Sequence, residues 1–191
     1  AGLATIECDL VLLACGPWTG QVAAQLGVPM RAAITGIKAH SVLLEPSGPV
    51  DDACLFMDWR GDPYAGEFEL YPRLDGVYVC GCGEEPRVVE EQPGDVSISG
   101  RASACLKQSA AAVASSLDGA TVLRESACYL PCADTGAIVA GRLRDGVYVA
   151  TGHTCWGILN GPATGQGMAE LMLNGPDGKA AQLLAPFAPR V

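Results

Sequence analysis

The stretch YVATGHTCWGILNGPATGQGMAELML, residues 148–173, joins a β-branched apolar run to a helical pattern of Ala, Met and Leu. The join itself contains Gly152, His153 and Gly157. A strand, a glycine-bearing turn and a helix beginning near Ile158 would direct free backbone N–H groups and the positive end of the helix beyond the strand. Such a turn suits a ligand with partial negative charge, and it suits a tight packing turn equally well. Both interpretations stay open on these residues alone.

Two other glycine-rich stretches do not form a phosphate-binding motif. The sequence GCGEEP at 81–86 opens like G-x-G-x-x-G, but Pro86 replaces the third glycine and no helical pattern follows. The glycines of GPATGQG at 161–167 fall where the helical pattern is already running, so they indicate close helix packing. The sequence therefore lacks a first-strand dinucleotide fingerprint.

The hydrophobic pattern predicts the elements that position these residues. The apolar run at 8–16 predicts a strand buried on both faces, and the helix after it is expected to stop at Gly27. From Ile34 onwards, short runs separated by Pro, Gly and Asp predict an antiparallel meander, with one hairpin turning at Asp75-Gly76. Residues 88–96 predict a solvated connection, and the next helix is expected to be capped by Ser97 or Ser99.

This order of elements predicts an α/β fold of mixed α+β character. The strand and helix at the start of the chain and those at its end are expected to form one discontinuous domain, residues 1–30 and 131–178. Residues 31–130 are expected to form an antiparallel domain inserted between them.

The composition argues against several classes of partner and site. The formal charge of -9 argues against nucleic acid or anionic lipid as a partner. No apolar run approaches the ~18 residues of a membrane span, and two His leave little room for a multi-histidine metal site, so no metal is expected. The nine Cys are odd in number and lack a C-x-x-C pair, which predicts buried reduced thiols in an intracellular, reducing compartment. A cysteine-dependent redox or metal function is supported only by the number of cysteines.

Several motifs together resemble the D-amino-acid oxidase, glycine oxidase and sarcosine oxidase family. CDLVLLACGPWTG is similar to the family's strand ending in Ala-Gly-x-Trp, LYPRLDGVYVCG to its substrate-domain hairpin, and YLPCADTGAIVAG to its R-P-x-T motif. The combination of CYLP with CWGILN most resembles an uncharacterised eukaryotic branch. Residues that match the family's G-H-x-x-x-G-I-x-x-x-P-A-T-G motif are Gly152, His153, Gly157, Ile158, Pro162, Ala163, Thr164 and Gly165.

The resemblance implies a two-domain flavoprotein fold with FAD as cofactor, of which this chain would be the C-terminal half. His153 is implied as a donor to flavin or substrate and is the only catalytic candidate, although it could equally fix the turn. The cofactor-binding residues implied are Ala14, Gly16, Trp18, Gly152, His153, Cys155, Trp156, Gly157, Ile158, Leu159 and Thr164.

Departures from the family pattern concern the substrate. Leu130 stands where amine-oxidising members have the Arg that grips a substrate carboxylate. Tyr71 and Arg73 are the remaining candidates for substrate contacts, and Arg73 is a candidate by charge alone. Cys128 lies near the place where some relatives attach flavin covalently, but a buried thiol is the favoured interpretation.

The resemblance implies an oxidoreductase that oxidises a C–N bond of a small amine or amino acid derivative by hydride transfer to flavin. The family's ADP-binding half would lie upstream, so that missing N-terminal half is an expected partner. The chain alone is expected to bind FAD weakly or not at all, and to be inactive. The alternative is an inactive scaffold, or a half-protein subunit in a larger assembly.

Overall fold

The computed structural model describes residues 5–28, 30–62, 64–89 and 92–189, and it divides into two compact units. The first unit comprises Ala1–Ile37, Pro86–Val89 and Leu130–Val191, and the second comprises Lys38–Glu85 and Glu90–Tyr129. The divisions fall inside long strands, since two strands run from one unit into the other. The strands are β1 (Val11–Leu13), β2 (Ile34–Glu45), β3 (Leu55–Gly61), β4 (Tyr64–Arg73), β5 (Gly76–Gly81), β6 (Thr121–Ala133), β7 (Val139–Arg144) and β8 (Val147–Thr151), and the helices are α1 (Thr19–Gln25), α2 (Gly100–Val113), α3 (Gly157–Asn174) and α4 (Lys179–Leu184).

The first unit is built on a three-stranded sheet of order β1-β8-β7. β1 runs parallel to β8, with Leu12 opposite Tyr148, and β7 pairs antiparallel with β8. The buried side chains of Leu13 and Val149 form the centre of its core. α1 ends before Gly27, which has a φ of 66° and occupies the predicted position after the helix.

The first strand differs from its prediction. It covers only Val11–Leu13, and Leu12 is 40% exposed whereas Leu13 is 3% exposed. One side of β1 packs into the core, and among the described residues the other side is not covered. The expectation of a strand buried on both faces is therefore wrong for this chain.

The second unit carries most of a five-stranded sheet of order β3-β4-β5-β2-β6, which confirms the mixed α/β fold with an antiparallel sheet. α2 packs Leu106 and Ala110 against Phe68, Leu70 and Val79 on one face of that sheet. Ser99 caps α2 as predicted, because its Oγ accepts a hydrogen bond from the Ala102 backbone N–H at 3.3 Å.

Two local expectations are corrected. The β4–β5 hairpin turns at Leu74 and Asp75, one residue earlier than predicted, and Gly76 already pairs with Arg73. Gly76 is required there because a Cβ would lie 2.6 Å from the Leu44 carbonyl oxygen. The 88–96 connection is not wholly solvated, since Val89 is 1% exposed and its carbonyl accepts a hydrogen bond from Gln21.

Candidate functional site

A cleft of about 350 Å³ lies in the first unit and is lined by residues from the ends of β1 and β8 and the start of α3. Small residues dominate its wall, so the backbone itself forms much of the surface. Its lining residues are Leu12, Ala14, Gly16, Pro131, Ala150, Thr151, His153, Thr154, Gly157, Gly161, Thr164, Gly165 and Met168.

Two glycine turns fix the strand ends beside this cleft. Gly16 and Gly152 have φ values of 57° and 80°, which favour glycine. At Gly152 a Cβ would also lie 3.3 Å from the Ala137 carbonyl oxygen. The Gly16 carbonyl accepts hydrogen bonds from Thr19 at 2.7 Å and from Thr151 at 2.8 Å. Both hydroxyls are buried, so the turn after β1 is attached to the end of β8.

The start of α3 presents accessible backbone to the cleft. A short 3₁₀ turn over Thr154–Trp156 leads directly into Gly157, and Thr154 has a left-handed φ of 52°. A Cβ built on Gly161 or Gly165 would meet no atom within 4 Å. The first N–H groups of a helix have no intrahelical partner, and the helix end attracts negative charge. The cleft therefore offers hydrogen-bond donors and positive potential with little side-chain bulk.

His153 lies at the boundary between the turn and the helix. Its Nε2 lies 3.0 Å from the Thr164 Oγ1, within hydrogen-bond distance, and Thr164 is buried. Burial lowers the pKa of His153 from its ordinary value of 6.5, so the neutral imidazole is favoured near neutral pH. The positive potential at this turn comes from the helix and not from an imidazolium.

The structure separates the predicted cofactor-binding residues into two groups. Ala14, Gly16, His153, Gly157 and Thr164 line the cleft, and Gly152 shapes the turn beside it. Trp18, Cys155, Trp156, Ile158 and Leu159 are not part of the lining, and Trp156, Ile158 and Leu159 are 59%, 97% and 71% exposed.

Gly161 and Gly165 also line the cleft, although neither is among the predicted cofactor-binding residues. Their spacing was a usable signal, because Gly157, Gly161 and Gly165 recur every four residues and so share one face of α3. The expectation that GPATGQG serves helix packing holds for Gly167, whose Cβ would lie 2.8 Å from the Leu184 side chain. It is wrong for Gly161 and Gly165, which face open space in the cleft.

The substrate candidates fall in both units. Tyr71 and Arg73 belong to β4 in the second unit, and Leu130 belongs to the first. The Tyr71 hydroxyl donates to the Glu69 carboxylate, and the Arg73 guanidinium carbon lies 3.9 Å from the Tyr78 ring centroid. The Leu130 carbonyl accepts a hydrogen bond from the Cys132 thiol at 3.5 Å.

The cysteines are free but are not uniformly buried. Of the nine, all within the described residues, Cys8, Cys15, Cys54, Cys128 and Cys155 are exposed. The expectation of buried thiols is therefore wrong for these five, because they lie in turns and on strand surfaces that the core does not cover. Partial burial still raises the pKa of Cys128, which favours the thiol over the nucleophilic thiolate.

Comparison with known proteins identifies the family. A family model described as FAD dependent oxidoreductase, DAO, matches residues 1–171, which is most of the chain. The chain belongs to the DAO family of FAD-dependent oxidoreductases. This confirms the resemblance drawn from the motifs and FAD as the family's cofactor.

Relatives show how much of a family member this chain represents. It is 32% identical over 171 residues to TDA3 of Saccharomyces cerevisiae, which is provisionally described as an oxidoreductase. The matched region covers 86% of this chain and 32% of TDA3. A Schizosaccharomyces pombe protein with the same provisional description is 33% identical over 175 residues, or 90% of this chain and 44% of that protein. Glycine oxidase from Geobacillus kaustophilus superposes with a TM-score of 0.74 at 21% identity, covering 95% of this chain and 45% of the enzyme. The chain thus spans less than half the length of these DAO family relatives.

The cleft residues fit part of the family's cofactor. A flat ring with electron-rich edges requires that the backbone approach it closely and that unpaired N–H donors face it. Gly161 and Gly165 allow that close approach, because the space that a Cβ would occupy is left free. In the described residues there is neither a group of three metal-ligating side chains nor a helix able to cross a membrane.

Proposed function

We propose that this DAO family chain forms the flavin-ring end of an oxidoreductase that oxidises a C–N bond of a small amine or amino acid derivative. The observation that carries the proposal is the cleft at the ends of β1 and β8, with glycines at three successive turns of α3. Glycine oxidase, which shares the fold, is named for the oxidation of an amino acid.

The residues proposed to hold the flavin ring act mainly through their backbone. Gly16, Gly157, Gly161 and Gly165 provide close approach, and Thr164 is fixed by its contact with His153. When bound, the flavin supplies a hydride acceptor for the substrate carbon. The N-terminal end of α3 would stabilise negative charge on the flavin ring, and it would require no proton transfer to do so.

His153 is proposed as a positioning group and not as a general base. Its Nε2 is directed to Thr164, and burial lowers its pKa, so it remains neutral and holds the turn. No side chain is assigned to proton abstraction, because hydride loss from a neutral amine requires only that the amine be deprotonated before it reacts.

An exposed apolar patch supports a further part of the proposal. Trp156, Ile158 and Leu159 form this patch at the start of α3 and are 59% or more exposed. Large apolar side chains that are exposed close together mark surfaces that pack against another part of a protein. We propose that the remaining half of the DAO family fold, which carries the ADP-binding region, packs here.

The test is an anaerobic flavin-reduction experiment on the full-length protein. Small primary and secondary amines and α-amino acids are mixed with the flavin-loaded protein, and loss of the visible flavin absorbance is followed. Bleaching by at least one of these compounds is expected. Alcohols and 2-hydroxy acids are the comparison set, and bleaching by these alone would overturn C–N oxidation. The 191-residue chain by itself is the control and is expected to retain little flavin.

A further inference from the structure

A second cluster of side chains lies in the second unit, on the sheet face opposite α2. Side chains alternate between faces along a strand. Phe68, Leu70 and Val79 point to α2 and are buried, so their neighbours project from the other face. There Glu69 lies opposite both Phe56 and Cys80, and Tyr71 lies opposite Tyr78. We call Phe56, Glu69, Tyr71, Tyr78 and Cys80 the aromatic face.

Glu69 is the negative centre of the aromatic face. Its carboxylate accepts hydrogen bonds from the Tyr71 hydroxyl and from the Cys80 thiol, whose Sγ lies at 3.7 Å. Among the described residues, no Lys or Arg forms an ion pair with it. Burial, and then Glu69 itself, raise the pKa of Tyr71 and raise that of Cys80 to about 12. Both neighbours thus remain protonated donors to the Glu69 carboxylate.

Three aromatic rings lie on the same sheet face as this carboxylate. Phe56 and Tyr71 meet edge to face with centroids 5.6 Å apart, and the Tyr71 and Tyr78 centroids are 6.2 Å apart. Phe56 is 67% exposed, so its ring is accessible from solvent. A carboxylate with accessible π faces attracts a cation, and it attracts an alkylated ammonium above all, because such a group is weakly hydrated and can contact the rings.

Arg73 forms no ion pair with Glu69. The Arg73 guanidinium is stacked on the Tyr78 ring. Arg73 and Glu69 are four residues apart on β4, which corresponds to a Cα separation of about 13 Å in an extended strand. The stacking also shows that a ring of the aromatic face already accepts a cation. Glu69 with Phe56 and Tyr71 forms the part of the face that is left for a ligand.

We infer that the aromatic face binds an alkylammonium group, with Glu69 as the counter-ion and Phe56 and Tyr71 as ring contacts. The inference deepens the proposed function and rests on it. It assigns the substrate class as amines that carry an ammonium group, and that group is recognised as a cation in place of a carboxylate. Leu130, at the position of the family's carboxylate-binding Arg, agrees with that class.

Two probes with the same ring and opposite charge test this inference. Benzyltrimethylammonium and benzoate are titrated separately into the full-length protein by isothermal calorimetry. Neither probe is required to react, so binding is measured independently of flavin reduction. Saturable binding of the ammonium probe is expected, with benzoate at least about tenfold weaker, because an uncompensated carboxylate favours cations and repels anions.

Matched variants assign the binding to named residues. Glu69→Gln should weaken the ammonium probe by about tenfold or more, through loss of a charge-assisted contact. Glu125→Gln removes an equal charge from an exposed position on β6 and should leave the affinity unchanged. Phe56→Leu changes an exposed ring, so it should fold even if Glu69→Gln does not, and it should weaken binding several-fold.

Two results would overturn the inference. One is benzoate binding that is lost in Arg73→Gln, which would make Arg73 an anion anchor. The other is an ammonium affinity that is the same in Phe56→Leu as in the unaltered protein. Failure of this inference can be distinguished from failure of the proposed function. Ammonium binding without flavin bleaching by any amine would overturn C–N oxidation and leave the aromatic face as a cation site.

Discussion

The cleft of the first unit and the aromatic face of the second unit differ in what makes contact with a ligand. In the cleft, Gly157, Gly161 and Gly165 expose backbone, and the charge comes from the end of α3. On the aromatic face, ligand recognition depends on the carboxylate of Glu69 and the rings around it. A backbone site tolerates little change at glycine, whereas a side-chain site changes its ligand with a single substitution. If the proposed roles of the two sites hold, this difference would allow the cofactor site to be kept while the substrate changes.

The largest expected effect on stability concerns the backbone at Gly152. Gly152→Ala should destabilise the protein by about 1–2 kcal/mol from the left-handed conformation alone. The added Cβ, 3.3 Å from the Ala137 carbonyl oxygen, increases that cost. Urea unfolding of the full-length protein measures the change.

Gly165→Ala is the matched control for that substitution. Gly165 lies within α3 with helical backbone, and its Cβ would meet nothing within 4 Å. Its free energy of unfolding should stay the same or rise by up to about 1 kcal/mol, since Ala favours the helix. Equal destabilisation by both substitutions would show that the Gly152 turn is not the constraint described here.

A smaller effect is expected from the titration of His153. Its pKa is lowered by burial in the folded protein, so the unfolded chain binds a proton more readily. The stabilisation from neutral His153 is thus complete above about pH 6.5 and is lost as the pH falls through the lower folded value. Between about pH 7.5 and pH 5, the Tm of the unaltered protein should fall more steeply than that of His153→Gln. Parallel Tm curves for the two proteins would contradict a buried neutral imidazole.

The fold and the position of the cleft could be predicted because local signals agreed with tertiary structure. Ser99 caps α2 and Gly27 follows α1 as predicted, and the expected association of the first and last segments brings the end of β8 beside β1. Whether a segment forms a helix or a strand follows from the spacing of its apolar residues and from the residues at its turns, and both can be seen in neighbouring residues.

Other features depended on contacts that no local pattern encodes. The side of a helix that faces a cleft is set by tertiary packing, so Gly161 and Gly165 were assigned to packing while Gly167 alone has that role. Glu69 was missed because its importance comes from strand register, which places it opposite Phe56 and Cys80. The exposed cysteines were missed because an apolar neighbourhood in sequence does not ensure burial on a sheet surface.

The central claim is that the cleft of the first unit seats the flavin ring, and filling that cleft tests it most directly. Gly165→Leu inserts a side chain into the lining without changing helical backbone, and Ala169→Leu makes a similar change at an exposed α3 position outside the lining. FAD affinity of the two full-length variants is measured by titration of the flavin-free protein. Gly165→Leu should weaken FAD binding about tenfold or more, as overpacking of about 1–3 kcal/mol requires, while Ala169→Leu binds normally. Equal affinity in the two variants would contradict the account.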